Sequence, residues 1–191
     1  MFILSIAILS SLFILQLFFR PILEKWINWF IVAAVILALG VGAYYSILQY
    51  SVWSSAELSK YFLPPFQSIT YFLRYSAFRF FMPSVVSLVF AGLFYGIARI
   101  MNKRSGERFF EREEIGLAAI ALFISGFPGI LFVFGFIVSV YLLVHLINLA
   151  LRRKIEIIPV YYLWLPSSLF AIILTTTWLS KLNLWSLLKI S

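Results

Sequence analysis

The sequence predicts an all-α, polytopic membrane bundle of about six or seven helices, the number its apolar runs allow at roughly 20 residues per crossing. Two observations predict it. Of 191 residues, 63% are hydrophobic and only 12% are charged, with a mean hydropathy of +1.04. A soluble domain is about 45–50% apolar and about 25% charged, and it leaves about a third of its surface in water. Lipid is therefore the solvent for most of this chain, which excludes a soluble enzyme, a disordered chain and a disulfide scaffold. The apolar runs are also separated by short charged or proline-containing segments, the punctuation of membrane helices rather than of a soluble core. The reading is a single transmembrane domain over 1–191, with no soluble domain.

The elements follow in order. Residues 2–19 form a first helix that stops at Arg20-Pro21; without a basic leader or a small-x-small site it reads as a retained helix rather than a signal peptide. A second helix runs over 26–53, longer than one bilayer needs, with Trp26, Trp29 and Trp53 at interfacial positions. The polar stretch 54–60 and Leu63-Pro64-Pro65 stop it, because proline removes a donor and restricts its predecessor. Residues 66–81 are apolar but carry Arg74 and Arg79, which suits an interfacial segment whose arginines snorkel and meet lipid or a substrate peptide. A clear span, 82–100, begins at Pro83 and holds Gly92-x-x-x-Gly96, a pair that permits close helix contact.

Residues 102–114 are the longest charged segment. Two helices, 115–125 and 131–151, then flank Gly126-Phe127-Pro128-Gly129, a turn by composition. This hairpin puts the two basic loops, 99–114 and 152–156, on one side of the membrane, cytoplasmic by the positive-inside rule. A last span covers 163–179, and 181–191 suits a short interfacial helix.

The net charge of +8 does not indicate nucleic-acid binding, since its cations fall in those loops. Membrane lipids are the expected partners, through Arg74, Arg79, Arg108 and Arg112. With no Cys and a single His, thiol chemistry is excluded and no metal or cofactor site is expected. His145 and Asn148 sit together in a spanning helix, where a neutral His bonded to a neighbouring helix is the simpler reading than a proton relay. Thr175-Thr176-Thr177 suits back-bonding to helix carbonyls.

All seven acidic residues are Glu. Two stand out: Glu57, after a long helix and before Leu63-Pro64, and Glu114, at the start of a helix. If both flanking loops face the cytoplasm, the two carboxylates share one membrane edge. A close pair can share a proton, one acting as base towards water and the other as acid towards a carbonyl.

On these residues the chain resembles the type IV prepilin peptidases, multi-helix membrane endopeptidases with two catalytic aspartates at the cytoplasmic edge. The family's first motif, an Asp ending a helix and then Leu/Ile-Pro-Asp, corresponds to Glu57 and to Leu63-Pro64-Pro65. Its second, Gly-x-Gly-Asp opening a helix, corresponds to Glu111-Arg112-Glu113-Glu114. Gly126-Phe127-Pro128 and Ile158-Pro159-Val160 follow with similar spacing, and the likeness covers 44–173. It implies an endopeptidase with Glu57 and Glu114 as the catalytic pair, acting on a prepilin-like substrate, with Pro64, Gly126, Pro128 and Pro159 as motif residues. The departures are that both aspartates are Glu, that Glu111 and Glu113 replace the motif glycines, and that Gly116 replaces the family Lys. They imply the alternative, a non-catalytic descendant that serves as scaffold or subunit of a pilus- or secretion-type membrane assembly. A small transporter is the third reading. It would rest on few polar groups: Gln16, Asn28, Gln49, His145 and Asn148.

Overall fold

The computed structural model describes residues 2–106, 110–151 and 160–181, with backbone only at Phe2, Arg112 and Ser180. Every regular element among them is helical: α1 (Phe2–Phe18), α2 (Arg20–Ser55), α3 (Ile69–Ser76), α4 (Met82–Arg104), α5 (Arg112–Ser125), α6 (Gly129–Ala150) and α7 (Trp164–Ile173). Among the described residues four stretches are long and apolar enough to cross a membrane: Arg20–Ser55, Ile69–Arg104, Gly129–Ala150 and Val160–Trp178. Arg108, the basic residues 152–154, Pro159 and the tail 182–191 lie outside the described residues.

α1 stops where expected. α2 begins six residues before the expected Trp26, because Pro21 stands in its first turn, where a missing N–H is no loss. It then runs unbroken for 36 residues, about 54 Å at roughly 1.5 Å per residue. Residues 66–81 are not a separate interfacial segment. Ser68 Oγ accepts the Thr70 N–H at 3.1 Å and starts α3, and a π turn at Ala77–Phe81 joins α3 directly to α4. The wide turn precedes Pro83, which cannot donate to the carbonyl four residues back. α2 and this second long helix form an antiparallel hairpin joined by 56–68.

The hairpin's outer half is held by aromatic rings. Tyr45 stacks on Phe80 at 6.1 Å, Tyr50 meets Phe72 at 5.2 Å, and Trp53 meets Tyr75 at 4.8 Å. Gly42 allows the approach, since a Cβ there would lie 3.1 Å from the Phe81 ring. Its inner half is wedged open by α5, which touches α1, α2, α4, α6 and α7. Residues 113–122 are all buried, and the run Ile115-Gly116-Leu117-Ala118-Ala119-Ile120-Ala121-Leu122 is apolar on every face. A helix apolar all round belongs in the centre of a bundle. The continuous core is built around it, with Leu9 and Leu12 of α1, Leu23 and Ile27 of α2, Ala91 of α4, Val133 and Ile137 of α6, and Trp164, Leu165 and Ala171 of α7.

Small residues permit this packing. A Cβ on Gly116 would lie 2.6 Å from Ile27 Cγ1. Gly126, at φ +68°, ends α5 in a conformation that side chains rarely adopt. Ser87 Oγ pins the turn to α4 by accepting the Phe127 N–H at 3.0 Å. Gly92 and Gly96 differ from expectation: a Cβ on either would meet nothing within 4 Å, so among the described residues no helix rests on the pair. Thr175, Thr176 and Thr177 do bond back to the carbonyls of Ile172 and Ile173, at 3.1, 2.7 and 2.6 Å.

A candidate acidic site at one end of the bundle

The start of α5 is built by its own acids. Glu111 caps the helix and Glu114 reaches back, its Oε2 accepting the Glu111 N–H at 3.2 Å, a reciprocal capping box. Carboxylates also suit a helix N-terminus, where the unpaired N–H groups carry partial positive charge. Asn102 closes the preceding loop: its side chain donates to the Phe110 carbonyl at 2.8 Å and accepts the Phe110 N–H at 3.0 Å.

Three other helices converge here. Arg20, at the α1–α2 junction, donates through Nε and Nη2 to Glu113 Oε1 at 2.9 and 2.6 Å, and through Nη2 to Glu111 Oε2 as well. Its guanidinium also lies 5.0 Å from the Tyr161 ring centroid. Trp164, first residue of α7, donates its indole N–H to Glu114 Oε1 at 3.1 Å. Gln16 of α1 donates to the Tyr161 carbonyl at 2.6 Å. Glu113 and Glu114 are each 4% exposed. Burial pushes the Glu114 carboxyl above its ordinary range, the charges of Glu111 and Glu113 push the same way, and the bonds from Trp164 and the Glu111 N–H oppose them.

The expected catalytic pair does not assemble. Glu114 lies beside the start of α2, as the Arg20–Glu113 bond and the Ile27–Gly116 contact require. Glu57 lies beyond the end of the same helix, exposed. The two are separated by roughly 50 Å of helix. The expectation that both flanking loops share one membrane edge fails for the same reason: 56–68 lies at one end of the long hairpin, and Ser105, Gly106, Phe110 and Glu111 lie at the other. Pro64, Arg74 and Arg79 go with Glu57 to the far end, all exposed. Gly126 and Pro128 hold the α5–α6 turn. Arg108 lies outside the described residues and the Arg112 side chain is not described; Arg20 balances Glu111 and Glu113. His145 is exposed on α6.

Among the described residues no group of three His, Asp or Glu side chains comes together to hold a metal. A cavity of about 260 Å³ at the other end of α5 is rich in hydroxyls. Ser87, Ser125, Thr175 and Thr176 there each donate to a carbonyl of their own helix, at 2.8, 2.5, 3.1 and 2.7 Å, so none is poised as a nucleophile. Sequence reasoning missed Arg20, Gln16, Tyr161 and Trp164. The available signal was Arg20 itself, the first charge after the apolar run 2–19. Comparison with protein-family models, curated proteins and solved structures gives no match.

Proposed function

We propose that this chain is a multi-pass membrane protein on a scaffold resembling the type IV prepilin peptidases, and that it does not cut peptide bonds but serves as a subunit or scaffold of a membrane assembly. One observation carries the reading. Both carboxylate oxygens of Glu114 are committed, one to the Trp164 indole and one to the cap of α5, and its expected partner Glu57 is at the other end of α2. An acid pair needs two carboxyl groups near one water. Glu111 and Glu113 supply no substitute pair, because both are engaged by Arg20. In this reading the basic loops 99–114 and 152–156 face the cytoplasm, the chain crosses six times, through α1, α2, the joined α3–α4, α5, α6 and α7, and the acidic cluster is a clasp that fixes α1, α2, α5 and α7 to one another.

The test is co-expression with a prepilin-like substrate, followed by mild-detergent purification. The wild-type chain is expected to leave the substrate uncut and to co-purify stoichiometrically with another membrane protein. Cleavage by wild type that is lost in Glu57→Gln or Glu114→Gln would restore the endopeptidase reading. A chain that runs alone and cuts nothing would contradict the subunit role.

A further inference from the structure

Between α2 and α4, where α5 wedges them apart, a groove of about 290 Å³ opens on the outer surface of the bundle. Its floor is Ala119, Ile120 and Phe123 of α5. Its walls are Ile31, Ala34 and Val35 on one side and Leu88, Ala91 and Gly92 on the other. Only one end is polar, with Asn28 and Tyr95, and this end points to the same side as the acidic clasp. One turn beyond Tyr95, the exposed Arg99 guanidinium lies 6.0 Å from the Tyr95 ring centroid. Lys25, Lys103 and Arg104 are exposed on the same side, against the exposed acids Glu24 and Glu111, the latter paired with Arg20, so positive charge is in excess among the described residues.

We propose that this groove binds one acyl chain of an anionic phospholipid, with the phosphate against Arg99. The lining and the neighbouring charge select the occupant. The lined stretch runs from Asn28 to Val35 and from Tyr95 to Leu88, about 10 Å along each helix. The apolar walls suit a hydrocarbon chain, and a cation one turn past the polar end is where a chain lying in the groove puts its phosphate. Gly92 keeps the groove open: a Cβ there would meet nothing within 4 Å, so a larger side chain has room to occupy it without disturbing the helix.

The experiment is native mass spectrometry of the full, delipidated chain in non-ionic detergent, titrated with palmitoyl-oleoyl phosphatidylglycerol, with phosphatidylcholine, and with inorganic phosphate. Wild type is expected to take up one phosphatidylglycerol at least fivefold more tightly than phosphatidylcholine, and inorganic phosphate is expected not to displace it. Gly92→Leu should lose that lipid, and Arg99→Gln, an exposed change that leaves the core untouched, should bind it at least fivefold more weakly. Gly135→Leu, at an equally open glycine of α6, should match wild type. Wild-type affinity in Gly92→Leu or Arg99→Gln, equal binding of the two lipids, or displacement by phosphate alone would overturn the proposal.

Discussion

Trp164 donates its indole N–H to Glu114 across 3.1 Å and so ties the first turn of α7 to the first turn of α5. Both residues are buried. Trp164→Phe keeps most of the ring volume and leaves Glu114 Oε1 without this donor. An unsatisfied buried acceptor costs about 1–3 kcal/mol. The variant should melt lower than wild type in detergent, whereas Glu57→Gln, at an exposed position, should not. Equal melting of Trp164→Phe and wild type would mean the bond has no energetic role.

The raised position of the Glu114 carboxyl has a pH consequence. The folded chain holds this proton more tightly than the unfolded chain, whose carboxyl titrates near the ordinary value of about 4.3. The associated stability is fully present below that value and is lost as pH rises through the raised one. Thermal stability should therefore fall across that window in wild type and fall less in Glu114→Gln. Identical pH profiles for the two would contradict the assignment.

Arg20 is half-exposed, yet it is the partner of the buried Glu113. Removing it strands a carboxylate at 4% exposure. Arg20→Ala should cost about 1–3 kcal/mol, and Arg20→Ala with Glu113→Gln should cost less than the sum of the single changes. A double-mutant cycle of melting curves measures the coupling. Additive losses would show that the two groups act independently.

Gly116 fits beneath Ile27 and has no room to grow. Its missing Cβ would stand 2.6 Å from Ile27 Cγ1, an atom fixed close to the helix. Gly116→Ala should destabilise by about 1–3 kcal/mol, as overpacking does, despite the better helix propensity of Ala. Ile27→Ala in the same chain should recover part of the loss. A stabilising Gly116→Ala would mean α2 and α5 are not in close contact there.

Much of this architecture is legible in the sequence, because its causes are local. Apolar runs, the stop at Arg20-Pro21 and the Gly126-Phe127-Pro128 turn each depend on neighbouring residues. The central place of α5 is also written in the chain, as a short helix apolar on all faces. What is not legible depends on distant contacts. Arg74 and Arg79 suggest an interruption, yet helix continues through them because both project outward from the hairpin. Arg20 stands 91 residues from Glu111 in the chain, yet it reaches that carboxylate. The likeness of Glu57 and Glu114 to a catalytic pair rests on order along the chain, and order does not report that a 36-residue helix stands between them.

That separation is the central claim, and one distance tests it. The chain has no Cys, so spin labels attach only where cysteines are introduced. Glu57→Cys and Glu111→Cys sit beyond the end of α2 and beside its start. Double electron–electron resonance in lipid nanodiscs should give a separation of roughly 50 Å, the length of the intervening helix. A distribution centred below about 20 Å, less than half that helical length, would bring the two acidic segments together and contradict the account.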